Sequence, residues 1–381
     1  MPANIVHMII AHKAIGKLKE KGVKEYTEFA EMLDDESKGK KYRAYVNLGS
    51  VGPDLYYYAE IGESLKDLLK EKFTQAKGVT PWSYHLHSSK PNLYPLKLVE
   101  IIFRDTMRKN GEAVLDDDDI RKLAYVAGHL THMAGDQIIH PVVNKVAKPY
   151  YRSGKHREKH RECEVFQDYF LYQEVYRLEE KGGAKYDFFK QKFNAWADCV
   201  RGSRNTKDWF RYFLQRGFVE TYGISPSEDE IEDSVDNLLL MLKTCQMLFP
   251  YRKAAKDYEE NGPDAGMCKE YIKDIDYIKH WRLAVELAVI YLIALYEVYF
   301  VLKKGKDFTN QHKERFGNIV SDADLSCPLK GVFAGAKAAL RNKEDMEAAI
   351  ERYCSPLLTK AKLVTEGRIF KARSGRDVVK A

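Results

Sequence analysis

Residues 128–140 read Gly-His-Leu-Thr-His-Met-Ala-Gly-Asp-Gln-Ile-Ile-His. Apolar residues in and around this stretch recur every three or four positions, so it belongs to a helix. His129, His132, Asp136 and His140 then lie three, four and four residues apart and share one face. A lone histidine on an apolar helix face is more often a hydrogen-bonded core residue than a ligand. Four such residues in register reverse that expectation, because an aspartate among Ala, Met and Ile is costly to bury unless it is paired or metal-bound. Imidazole nitrogen and carboxylate oxygen suit zinc. Pro141 follows at once and is expected to end or kink the helix.

The same periodicity extends outward over most of the chain, with almost none of the strict alternation that strands require, so the fold class is all-α. Helices are expected near residues 5–21, 64–73, 96–110, 119–140, 162–181, 186–199, 208–220, 228–248 and 275–303. Asp116 to Asp119 place negative charge at a helix N-terminus, and Ser227 with Glu230 fits a capping box. Residues 47–58, NLGSVGPDLYYY, and 78–95, GVTPWSYHLHSSKPNLYP, are rich in Gly, Pro and aromatics and are expected to be loops that carry function. With 381 residues, 45% of them hydrophobic, the chain has material for a large core. The expected division is a metal-binding helical domain over residues 1–200 and a helical extension over 201–381 packed on it. The stretch after residue 368 reads as a solvated tail.

Several classes fall away. The net charge of +6 is spread over interleaved surface runs; it tolerates an anionic substrate but falls short of a nucleic-acid footprint, so nucleic acid is not the expected partner. The first residues carry neither a basic n-region nor a cleavage site, which places the expected location in the cytoplasm. The run 283–302 approaches membrane length, but Glu286 and Glu297 interrupt it and a buried core helix is expected, with no transmembrane segment. The 6 cysteines show no CxxC spacing and read as reduced. GxxxxGK[ST], GxGxxG, GxSxG, HExxH and an adjacent His-Asp pair are all missing from the sequence.

A second cluster sets His160 and Glu164 one helical turn apart at the start of a helix. Alone it would read as a charged, solvated helix start. Its value comes from company: His85 and His87 in the aromatic stretch, and Asp54 after a Gly-Ser-Val-Gly-Pro turn, add further ligand-type residues in segments with no obvious core role.

Taken in order, these residues resemble the zinc-dependent phospholipase C family, whose relatives include the N-terminal domain of the glycosylphosphatidylinositol-specific phospholipase D and, more distantly, single-strand-specific zinc nucleases. His7, in HMIIAHKAI, is similar to the family's early helix histidine. GSVGPDLYY at 49–57 resembles its Gly-x-x-x-Pro-Asp-x-x-Tyr loop, which gives Asp54 the role of the loop aspartate. His87, with Pro91 four residues on, resembles the loop histidine, with His85 as the fallback. His132 and Asp136 match His-x-x-x-Asp, and His140 matches the ligand after it. His160 and Glu164, followed by Phe166 and Asp168, match His-x-x-x-Glu-x-Phe-x-Asp. The likeness covers residues 5–170.

What the resemblance implies is a zinc centre in a helical cleft. One ion would take Asp54, His87, His132 and Asp136; a second would take His140, His160 and Glu164; a third would take His7 and Asp136. Family enzymes complete that third site with their N-terminal residue, whereas this chain begins Met-Pro-Ala just before His7. Two zinc ions are therefore expected, with a third weakly held or missing, and His12 or His129 as possible stand-ins. The expected activity is metal-dependent phosphodiester hydrolysis, with Asp54 as the catalytic residue and a phospholipid headgroup or related phosphodiester as substrate. The alternatives are a nuclease-like phosphodiesterase, or a non-catalytic helical protein braced by structural zinc. Trp82, Tyr84 and Tyr56 to Tyr58 either line a substrate cleft or pack beneath it.

Overall fold

The computed structural model describes residues 4–37, 39–58, 81–109, 112–148, 154–176, 208–244, 248–326, 328, 359, 369–371 and 377–379. Nearly all of this is helix. In chain order α1 is Asn4–Lys19, α2 Lys24–Leu33, α3 Tyr42–Ser50, α4 Pro81–Ser88, α5 Leu93–Asp105, α6 Asp117–Ala147, α7 Gly154–Phe170, α8 Asp208–Tyr222, α9 Glu228–Thr244, α10 Phe249–Asn261, α11 Tyr277–Lys303 and α12 Asn310–Ile319. A 3₁₀ turn covers Leu55–Tyr58, and π-helical turns cover Leu171–Tyr176 and Lys269–Lys273. Two small antiparallel hairpins pair β1 (Met107–Lys109) with β2 (Glu112–Val114) and β3 (Ile369–Lys371) with β4 (Asp377–Val379).

The four aspartates start α6. Asp116 takes the N-cap position and accepts from the Asp119 backbone N–H at 2.8 Å, while Asp117, Asp118 and Asp119 fill the first turn, where the helix dipole favours negative charge. The expected end at Pro141 is corrected: α6 runs on to Ala147. Proline costs an interior helix about 3 kcal/mol. Val142 and Val143 beyond it are buried, and each apolar side chain of that size contributes about 1.5–3 kcal/mol, enough to carry the helix through.

The two expected loops are also corrected. Residues 42–50 form α3, residues 81–88 form α4, and Leu93 starts α5. Gly49, read as a turn signal, is a close-packing glycine. A Cβ built on it would lie 2.0 Å from the Tyr125 carbonyl oxygen, and one on Gly128 would lie 2.0 Å from that of Val46. The backbones of α3 and α6 therefore touch, and this contact carries the Asp54 turn to the His132 face of α6. Gly128→Ala is expected to force the helices apart and destabilise the fold by about 3 kcal/mol or more. Gly16→Ala, whose Cβ meets nothing within 4 Å, should instead stabilise α1 by up to about 1 kcal/mol. Urea denaturation of the two variants checks this, and parental behaviour of Gly128→Ala would refute the close-contact argument.

Other boundaries shift as well. The helix expected to reach residue 110 stops at Asp105, and β1 pairs with β2 beyond it, Lys109 opposite Glu112. The helix expected from 162 begins at Gly154. The capping box at Ser227 and Glu230 is present in both directions, at 2.7 and 3.1 Å. The sequence periodicity does not mark α2, α10 or α12, and the expected helices at 64–73 and 186–199 lie outside the described residues.

The core is built on α6. Helix α11, buried along most of its length, packs against both α6 and α1, and α1 is itself buried from Asn4 to Ala11. Tyr277–Lys303 is the one helix among the described residues long and apolar enough to cross a membrane, and 72% of its apolar window is buried inside the protein.

Candidate metal centre

Five elements supply the side chains of one buried cluster around α6. Helix α1 supplies His7, the turn after α3 supplies Asp54, α4 supplies His87, α6 supplies His132, Asp136 and His140, and α7 supplies His160 and Glu164. Asp136 Oδ1 lies 3.3 Å from His7 Nε2 and 3.6 Å from His140 Nε2. Its Oδ2 lies 3.1 Å from His132 Nε2 and 3.5 Å from His87 Nε2. Asp54 Oδ1 is 3.1 Å from His87 Nε2, and its Oδ2 is 4.0 Å from both His7 and His132. Glu164 Oε1 lies 3.0 Å from His160 Nε2 and 3.4 Å from His140 Nε2.

Three groups have donor atoms within 4.8 Å of one another: His7 with His132 and Asp136; Asp54 with His87 and His132; and His140 with His160 and Glu164. All eight residues that the sequence singled out fall in these groups. The grouping differs in two respects from the expectation: His132 joins His7 as well as the Asp54 set, and Asp136 groups with His7 and His132 rather than with Asp54 and His87. The imidazoles of His7 and His132 stack with centroids 3.9 Å apart.

The reserve histidines lie elsewhere. His85 packs against Tyr222, with ring centroids 5.0 Å apart, so His87 is the member of the pair that enters the cluster. His12 faces Asn47 Oδ1 at 2.8 Å. His129 shares the face of His132 but sits one turn nearer the start of α6, between Tyr94 and Tyr125. Of the aromatics, Tyr56 and Tyr58 are buried, and Trp82 packs on Phe218 while donating to Glu230. All three pack against the hydrophobic core. Tyr57, half-buried with its ring centroid 5.8 Å from that of His87, stands beside the cluster.

Each of four histidines is oriented through its far nitrogen. Nδ1 of His87 donates to the Ser83 carbonyl at 2.7 Å, that of His132 to Ser50 at 2.9 Å, that of His160 to Lys148 at 3.5 Å, and that of His140 to Leu325. A donating Nδ1–H leaves the Nε2 lone pair free, and every one of these Nε2 atoms points at a carboxylate of the cluster. An Nε2 facing a carboxylate oxygen attracts it only with a proton or a metal ion between them. The remaining atoms agree: Asp54 Oδ2, Asp136 Oδ2, His132 Nε2 and His7 Nδ1 are buried without a hydrogen-bond partner. Such orphans are costly in a folded interior.

The electrostatics point the same way. Burial pushes the Asp136 carboxyl up, but His140 and His132 outweigh it and hold the group well below the usual carboxylate range. Burial also raises Glu164, and His160 with His140 reverses that shift. For His140, burial lowers the value and Asp136 with Glu164 more than compensates, to about 10. The carboxylates thus pull positive charge into a buried space, a demand that a divalent cation meets with the nitrogen and oxygen donors present.

One member of the motif has a different task. Asp168 is fully buried; its Oδ1 accepts from the Val6 backbone N–H at 2.8 Å and its Oδ2 accepts from Tyr251 Oη at 2.8 Å. It clamps the unpaired N–H groups in the first turn of α1, next to His7. Burial pushes its carboxyl up to about 7. The spacing after Glu164 marked Asp168 but not this role, which only the approach of α1 to α7 reveals.

A family model described as zinc dependent phospholipase C matches residues 6–217, more than half of the chain. This chain belongs to the zinc-dependent phospholipase C family. No curated protein and no solved structure gave a significant match. Every cluster residue lies inside the matched span, whereas the carbonyl that orients His140 comes from residue 325, well beyond it.

Proposed function

We propose that this protein is a zinc-dependent phosphodiester hydrolase of the phospholipase C type, acting on a phospholipid headgroup or a related phosphodiester. The observation that carries the reading is the single buried carboxylate of Asp136 with four imidazole nitrogens turned towards it. Asp54, His87, His132, Asp136 and His7 would hold metal on one side, and His140, His160 and Glu164 on the other. Zinc bound there supplies Lewis acidity towards a phosphoryl oxygen and lowers the pKa of nearby water. Asp54 Oδ2, with no hydrogen-bond partner, is the carboxylate oxygen positioned to accept a proton or to orient the attacking water.

The donor set limits the stoichiometry. His132 Nε2 belongs to two of the three groups, and one lone pair serves one ion. About two tightly held zinc ions per chain are therefore expected, with any third weak. The compact His140 group offers three protein ligands, the number typical of catalytic sites that keep one position open; a structural site would be closed by four.

Metal analysis of dialysed protein, followed by side-by-side assay on bis-p-nitrophenyl phosphate, p-nitrophenyl phosphocholine and single-stranded DNA, tests the proposal. Cleavage of the choline ester favours the phospholipase reading, and cleavage of DNA favours a nuclease. Protein that binds no supplied zinc refutes the site. Fully loaded protein that cleaves none of the three is a zinc-braced scaffold instead.

A further inference from the structure

Seven residues that the family match does not reach lie across the metal centre. Residues 320–326 follow α12 without regular secondary structure, bonded to α6 on one side and to α4 and the α4–α5 junction on the other. On the α6 side, Gln137 donates to the Ser321 carbonyl at 3.0 Å, Asn144 donates to that of Ser326 at 3.1 Å, and His140 Nδ1 donates to that of Leu325. On the other side, the Leu325 backbone N–H donates to the His87 carbonyl at 2.8 Å, Asn92 donates to that of Val320 at 3.2 Å, and Ser88 donates to Asp324 at 3.2 Å. Tyr291 of α11 locks the arrangement: its hydroxyl donates to Gln137 Oε1 at 2.6 Å and accepts from the Ser321 N–H at 3.1 Å.

Leu325 is thus a double link. Through its carbonyl it touches one cluster histidine, and through its N–H it holds the backbone of another. Gln137 and Asn144 lie three residues before and four after His140, on the face that meets the strap. Leu325 is itself fully buried, so the link is formed away from competing water.

We propose that residues 320–326 form a positioning strap for the metal centre. The Leu325 carbonyl fixes the Nδ1–H tautomer and ring angle of His140, and the strap's anchors on α6, α4 and the α4–α5 junction hold that carbonyl in place. This rests on the zinc reading above. A hydrogen bond to the outer nitrogen of a ligating histidine fixes its orientation and raises its basicity, and loss of such partners typically weakens metal binding about 10- to 100-fold. The C-terminal half of the chain therefore contributes to the centre through main-chain atoms of this segment.

The test uses the full chain with both α6 anchors removed, Gln137→Leu together with Asn144→Leu. Tyr291→Phe is the milder second variant, since it keeps the ring and removes only the hydroxyl; it gives the same reading where the double variant fails to fold. Three measurements are made: amide hydrogen exchange over 320–326, zinc affinity by competition with a chromogenic chelator, and the melting temperature in excess chelator. The expected result is faster exchange in the strap, one zinc per chain weakened about 10- to 100-fold with the other unchanged, and a chelator melt close to the parent's. A freed strap with parental zinc affinity overturns the proposal while leaving the zinc reading intact. Equal weakening of every zinc together with a lowered chelator melt also overturns it, since that is general loss of packing. A parent protein that takes up no zinc overturns both.

Discussion

Asp136→Asn should leave the protein with little tightly bound zinc and a fold destabilised by about 3–5 kcal/mol, the usual cost of removing one partner from a buried ionic cluster. The size follows from position. Asp136 is 2% exposed and faces four imidazoles, His7 and His140 through one oxygen and His132 and His87 through the other. No other residue of the cluster meets both the His140 side and the Asp54 side. An asparagine of the same shape would carry no charge and would turn two N–H donors towards nitrogens whose lone pairs must stay free for metal. The effect therefore exceeds that of losing one ligand among several, because both ends of the centre lose their shared counter-charge. Thermal melts with and without chelator, alongside zinc content, check this. The parent should fall sharply in chelator while the variant, already depleted, changes little. A variant that melts like the parent, with neither responding to chelator, would remove Asp136 from any metal site.

Much of this centre was legible because its chemistry resides in side chains at helical spacing. His132, Asp136 and His140 on α6 follow directly from steps of four residues, whereas His160 and Glu164 on α7, also four apart, gain their value only beside the other ligand-type residues. His7, Asp54 and His87 were legible only through their order along the chain, since nothing local in HMIIAHKAI or GPDLYY says that these segments meet. Where the sequence misled, tertiary packing outweighed a local signal. Gly49 reads as a turn residue, yet the structure uses its missing Cβ to let α3 touch α6. Pro141 reads as a stop, yet burial of Val142 and Val143 carries α6 past it.

His129 shows the limit of spacing in another way. It lies on the same face as His132, but three residues advance it about 4.5 Å along the axis, which exchanges carboxylates for Tyr94 and Tyr125 as neighbours. Angular register was readable, and axial reach was not. The strap at 320–326 was invisible for a deeper reason. It acts through the carbonyls of Val320, Ser321, Leu325 and Ser326 and the N–H groups of Ser321 and Leu325, atoms that every residue other than proline possesses.

Asp54→Asn should separate chemistry from folding: phosphodiesterase turnover is expected to fall on the order of a hundred- to ten-thousand-fold, the range over which a positioned general base acts, while the zinc held by His140, His160 and Glu164 stays bound. Asp54 sits in a tight turn, where its N–H donates to the Val51 carbonyl at 3.1 Å and its own carbonyl accepts from Tyr57 at 2.9 Å. The turn holds the carboxylate from the backbone, so the side chain is free to serve the site. Its Oδ1 meets His87 at 3.1 Å and its Oδ2 has no hydrogen-bond partner. Its imidazole neighbours are His7, His87 and His132, and it shares no group of close donor atoms with His160 or Glu164. Asparagine keeps the shape and the turn, loses the charge, and cannot accept a proton at neutral pH. The measurement is the rate on bis-p-nitrophenyl phosphate with zinc in excess, paired with zinc content after dialysis and a melt. The expected pattern is a collapsed rate, at least one zinc retained and a melting temperature displaced far less than that of Asp136→Asn. A parental rate would take the catalytic role from Asp54, and loss of all zinc would show that the two sides of the centre do not bind independently.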